Sequence, residues 1–72
     1  MIVGIKRTRI LRMLAKKNMS QNCFAYRLGV SSGYMSQLML GTRNPSPILR
    51  QKILTALKLD ESGFDEVFHL KG

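Results

Sequence analysis

Apolar residues recur at spacings of three and four along most of this chain, and Ser, Gly and Pro mark the breaks between the periodic stretches. The first predicted helix covers residues 6–17, with Ile10, Met13 and Leu14 on one face and Arg9, Arg12, Lys16 and Lys17 on others. Asn18 is the predicted stop. Ser20 can cap a second helix, 21–28, whose inner face is Phe24, Ala25 and Leu28. Gly29 ends it, because glycine tolerates the left-handed backbone of a helix terminus. Ser31 caps a third helix, 32–40, closed by Gly41, and residues 42–45 form a turn. Ser46 then caps and Pro47 opens a fourth helix reaching about Lys58, with Leu49, Ile53, Ala56 and Leu57 inward. Asp60 can cap a last helix within 60–70 that holds Phe64, Val67 and Phe68. Ile2, Val3 and Ile5 could form a short strand or an early helical turn. No strand pair, repeat or low-complexity tract is evident. The predicted fold class is therefore all-α, a compact bundle of about five short helices.

At 72 residues the chain holds one domain at most. A chain of this size buries only about 60% of its unfolded surface, so its core is thin. The 44% apolar content is still that of a folded protein and not of a disordered one. Apolar runs stop at three or four residues, so no membrane-spanning segment is expected. The early cations Lys6, Arg7, Arg9 and Arg12 also argue against a signal peptide. Cys23 is the single cysteine, which excludes an internal disulfide and favours a cytoplasmic protein. One Cys and one His (His69), far apart in the chain, do not make a zinc site, and no cofactor is expected.

Charge changes the picture. All four acids, Asp60, Glu61, Asp65 and Glu66, lie in one short window. Residues 1–59 hold eleven cations and no acid: Lys6, Arg7, Arg9, Arg12, Lys16, Lys17, Arg27, Arg43, Arg50, Lys52 and Lys58. Scattered cations alone describe a solvated surface. So long a stretch without a carboxylate points to a polyanionic partner, nucleic acid first and an anionic membrane surface second.

The third helix adds chemistry. At 100° per residue, Met35, Leu38 and Met39 fall on one side. Ser32, Gly33, Ser36, Gln37 and Leu40 fall on the other, within an arc of about 140°, with Tyr34 at its border. That outward face carries no charge in a strongly basic chain. A face serving only solubility would carry Lys or Glu. Ser, Gly and Gln suit close approach to base edges instead, since Gln can donate and accept at adenine N6 and N7, and Ser can do either.

Two short helices joined at a glycine form a helix-turn-helix pattern. The stretch from Ser20 to Leu38 resembles the lambda-repressor-like family, also called the XRE or Cro/repressor type. The matching features are Ser20-Gln21, Ala25 at the helix crossing, Gly29-Val30 in the turn, and Met35 and Leu38 as inward anchors. Downstream, Gly41-Thr42-Arg43-Asn44-Pro45-Ser46 is similar to the family's Gly-x-Arg-x-Pro-Ser segment, and the resemblance covers about residues 6–59. It implies that Ser32, Gly33 and Gln37 read base pairs, as the wheel also selects them together with Ser36. It implies that Gln21 anchors a phosphate and braces the third helix. Ser31, Tyr34 and Ser36 would meet phosphates or nearby bases, and Arg43 and the Asn44 backbone the flanking phosphates. The family's Arg–Glu pair between helices one and three is replaced here by Leu14 and Met39, so an apolar contact is expected in its place. Gly33 offers no side chain at a reading position, Tyr34 is larger than usual there, and Leu40 on the outward face has no assigned role.

The resulting expectation is a sequence-specific regulator of transcription on double-stranded DNA, of repressor type, acting as a homodimer on a two-fold site. A small-molecule ligand and a membrane partner are not expected. Two further readings stand beside it. One is an antitoxin-like or scaffold interaction module that keeps the fold, with DNA contact secondary. The other is a membrane-surface protein built on the basic amphipathic stretch from Ile5 to Lys17, against which the capped helices argue. No pair of titratable groups suggests an enzyme. Cys23 reads as a small packed or half-exposed residue, His69 as solvent-exposed, and the five Met as core filler. Phe64, Val67 and Phe68 either close the core or join Ile48, Leu54 and Leu59 in a dimer face.

Overall fold

A computed structural model describes residues 2–71 of the chain. In order, the elements are β1 (Ile2–Ile5), α1 (Arg7–Lys16), α2 (Gln21–Leu28), α3 (Ser32–Leu40), α4 (Pro47–Ala56), a 3-10 turn (Glu61–Gly63), α5 (Phe64–Val67) and β2 (Phe68–Lys71).

Side-chain caps set the starts of the three middle helices. The hydroxyls of Ser20, Ser31 and Ser46 accept from the backbone N–H of Cys23, Tyr34 and Leu49 at 3.0, 3.0 and 3.2 Å. Each satisfies a donor that the first helical turn leaves free. Gly29 takes φ +77° at the end of α2, where a β-carbon would be penalised, and turns the chain into α3. Asn18 adopts φ +53° after α1, and the Met19 N–H reaches back to the Leu14 carbonyl at 2.9 Å. Lys58 does the same at φ +58°, with the Leu59 N–H on the Leu54 carbonyl at 2.8 Å. This left-handed closure ends α4 at Ala56, two residues before the expected Lys58.

The all-α expectation requires amendment at the two ends. Phe68–Lys71 does not continue a helix; it pairs antiparallel with Ile2–Ile5, in the register Ile2 with Lys71 and Ile5 with Phe68. The Lys6 N–H extends this seam by donating to the Val67 carbonyl at 2.7 Å. Strand pairing here joins the two ends of the chain, so neither segment carries a local signal for its partner. On one sheet face, Val3 and Ile5 pack on the core beside the buried Phe68.

One apolar core unites the helices and the sheet. It contains Ile10 and Leu14 of α1, Phe24, Ala25 and Leu28 of α2, Met35, Leu38 and Met39 of α3, and Leu49, Ile53, Leu54 and Leu57 of the fourth helical segment, with Val67 and Phe68. Leu14 and Met39 are both buried in this cluster, in an apolar setting where an ion pair would carry a desolvation cost. Each large side chain of this kind contributes roughly 1.5–3 kcal/mol by leaving water.

Three of the six residues considered for a dimer face are buried in the monomer: Leu54, Val67 and Phe68. Leu54 belongs to one buried cluster with Val67 and Phe68 and lines a cleft with Phe64 and Leu70, so the core takes in a side of α4 that a single helical stripe does not include. The Phe64 and Phe68 rings lie 4.9 Å apart at 49°, within the usual range for tilted aromatic pairs. Ile48 remains exposed. His69 is half-buried, because its imidazole lies across Gly4, its cross-strand partner. Cys23 is exposed.

Candidate nucleic-acid interface

The α2–α3 pair sits on the core through the inward residues of both helices, which turns the opposite face of α3 to solvent. Met35 and Leu38 are fully buried, whereas Ser32, Gly33, Ser36, Gln37 and Leu40 are exposed. A β-carbon built on Gly33 would meet nothing within 4 Å, so the helix surface is open there. Leu40 is 72% exposed, an apolar side chain at the end of an otherwise polar face.

Gln21, at the start of α2, is half-buried and donates to the Ser36 hydroxyl at 3.5 Å, the long limit of such a bond. It thus connects the first turn of α2 with the middle of α3. Ser31 is exposed, and its oxygen is engaged by the α3 cap.

The loop after α3 folds back onto Gln37. The Gln37 backbone carbonyl accepts from the Thr42 N–H, the Thr42 hydroxyl and the Arg43 N–H at 3.1, 3.1 and 3.3 Å. The Gln37 side-chain oxygen accepts from Nε of Arg43. The Arg43 guanidinium also lies over the half-buried Tyr34 ring, 5.1 Å from its centroid, within cation–π range. Tyr34, Gln37 and Arg43 therefore form one group at the edge of α3, with Gln37 and Arg43 exposed over the half-buried ring. Asn44 follows on the surface.

Two depressions flank α3. One, of about 360 Å³, lies among the α2–α3 turn, the start of α3 and the start of α4, and Ser31, Tyr34, Ile48 and Lys52 line it. The other, of about 180 Å³, is formed by Arg7, Gln21, Ser36, Met39 and Leu40. Neither contains an acidic side chain. Arg7 and Lys52 thus border the uncharged face, and the sequence did not single them out. Nothing local distinguishes them from the other cations of residues 1–59. Lys6 and Arg50 are bonded within the protein: Lys6 Nζ donates to the Asp65 carbonyl at 2.6 Å and Arg50 to the Pro45 carbonyl at 3.2 Å.

Among the described residues no group of three His, Cys, Asp or Glu could hold a metal ion. No helix among them is long and apolar enough to cross a membrane.

No protein-family model matches this chain, and no curated protein does so by sequence. Solved structures do match. The chain shares its overall fold with two of them. It superposes on a candidate DNA-binding protein from Bacteroides fragilis with a TM-score of 0.69 at 20% identity, over 94% of this chain and 100% of that one. It superposes equally well, at TM-score 0.69 and 26% identity, on the restriction-modification controller protein C.AhdI from Aeromonas hydrophila, over 81% of this chain and 88% of that one. Both likenesses extend well beyond the two helices of the motif.

Proposed function

We propose that this protein is a sequence-specific, double-stranded DNA-binding regulator of transcription, of repressor type, acting in the cytoplasm as a single helix-turn-helix domain. The observation that carries this reading is the uncharged, exposed face of α3, bordered by Arg7, Arg43 and Lys52, in a chain whose first 59 residues hold no acid. The likeness to a restriction-modification controller supports it.

In this reading α3 lies in the major groove. Ser32, Gly33, Ser36 and Gln37 face base edges, with Gly33 allowing the backbone to come close. Gln21, Ser31, Tyr34, Arg43, the Asn44 backbone and the added Arg7 hold phosphates. Phosphate contacts set position and supply salt-sensitive affinity, while base contacts supply discrimination. Two copies bind a two-fold site with half-sites about one helical turn apart, near 34 Å.

The test is selection of bound duplexes from a random pool, followed by titration of the enriched duplex. A two-fold symmetric motif bound by two chains is the expected result. Gln37→Ala should lose about 1–3 kcal/mol at its preferred base pair and keep its affinity for random DNA. Equal loss on both DNAs would remove Gln37 from base reading.

A further inference from the structure

The Gln37 amide has two chemically different ends, and one of them is occupied. Its oxygen accepts from Nε of Arg43. A guanidinium carries donors only, so it can meet the amide only at that oxygen. Arg43 is itself held in place by the Tyr34 ring beneath it and by its own N–H on the Gln37 carbonyl at 3.3 Å. Gln37 and Arg43 are therefore joined through both backbone and side chain. The end of the amide left wholly free for another partner is the NH2 group, which has two donor hydrogens, while the oxygen keeps one lone pair whose direction the Arg43 bond sets.

A free glutamine amide matches adenine, whose N6 donates and whose N7 accepts. An amide oxygen already bonded to a guanidinium is a poorer acceptor for N6, because the charge-assisted bond draws on its electron density and fixes the direction of its remaining lone pair. Guanine presents two acceptors, N7 and O6, to a donor group. Resting on the reading that α3 lies in the major groove, we propose that Arg43 orients Gln37 as a donor and so turns its base preference from adenine to guanine. Arg43 is a positioning residue in this role. Its two terminal amines remain available for a phosphate.

The experiment compares motifs selected from random duplexes by the full wild-type chain, Gln37→Ala and Arg43→Met, at low salt so that loss of one phosphate contact is tolerated. The base pair read by Gln37 is the one whose preference disappears in Gln37→Ala. The expected result is guanine at that pair for the wild type and a shift to adenine for Arg43→Met, which keeps an apolar stem and lacks the donor. Replacing that guanine by 7-deazaguanine should weaken wild-type binding about tenfold and leave Gln37→Ala unaffected. Adenine in the wild-type motif, or the same base in Arg43→Met, overturns this proposal and leaves DNA recognition by α3 standing. Failure of the wild type to enrich any motif overturns the functional reading, and this inference with it.

Discussion

The hydroxyl oxygen of Ser31 accepts from the backbone N–H of Tyr34 at 3.0 Å, which leaves the hydroxyl's own hydrogen as a donor at the entrance to α3. One atom thus closes a helix terminus and can still offer a proton to a phosphate. The two roles are separable. Ser31→Ala should cost about 1 kcal/mol in urea unfolding and should also weaken DNA binding. Ser31→Asp keeps a capping oxygen and should stay within about 0.5 kcal/mol of wild-type stability, yet bind DNA less well than Ser31→Ala. Wild-type DNA affinity in Ser31→Asp would place the phosphate elsewhere.

Arg7 shares a cleft with Gln21 and Ser36. If it meets a phosphate, Arg7→Ala should weaken specific and random DNA alike. The slope of log affinity against log salt should become shallower by about 0.9. Fluorescence anisotropy over a salt series measures this directly, and an unchanged slope rules out the contact.

Phe68 opens β2 and is fully buried, whereas Leu70 two residues later is largely exposed. Phe68→Ala should cost about 3–5 kcal/mol, enough to threaten the fold of so small a protein. Leu70→Ala should cost under about 1 kcal/mol. Equal losses in chemical denaturation would contradict the inward packing of the strand.

Gly29 and Gly33 respond oppositely to the same change. At Gly29 a β-carbon meets no neighbour, but the backbone is left-handed at φ +77°, so Gly29→Ala should destabilise by about 1–2 kcal/mol. Gly33 sits in the first turn of α3 with open space around it. Gly33→Ala should therefore be neutral or stabilising by up to about 1 kcal/mol. A loss of DNA affinity in that more stable variant would locate the close approach at Gly33. Thermal unfolding and DNA titration together separate the two effects.

The Asp60 carboxylate accepts from the Ser62 hydroxyl and from the Ser62 N–H, at 3.0 Å for the latter. These bonds hold its pKa below the ordinary aspartate value of 3.8. A depressed folded-state pKa contributes stability above the unfolded value, and that contribution fades as pH falls through the folded one. Stability should therefore decline as the pH is lowered below about 4. Asp60→Asn keeps a capping oxygen that does not titrate, so its acid limb should be flatter. Denaturation midpoints measured from pH 5 downwards compare the two.

Much of the middle of the molecule is legible in the sequence. Ser20, Ser31 and Ser46 each act on a backbone N–H three residues later, and Gly29 and Gly41 need left-handed backbone at a helix end. Such signals are local, so composition and spacing reveal them. The exposed side of α3 follows equally from helical geometry once Met35 and Leu38 are turned inward. The burial of Leu54 is not legible in this way. The residue is buried in a cluster with Val67 and Phe68, which are distant from it along the chain.

The sequence by itself determined the four main helices, the uncharged face of α3 and the excess of cations, because each arises from residues a few positions apart or from composition. Only the tertiary structure decided that the two chain ends pair as strands, that Arg7 stands beside Ser36, and that Arg43 takes hold of the Gln37 oxygen over Tyr34. The strand pair and the Arg7 cleft join segments distant along the chain. The Arg43 contact depends on how a short loop turns back onto its own helix. In all three, periodicity is silent and packing in three dimensions chooses the partner.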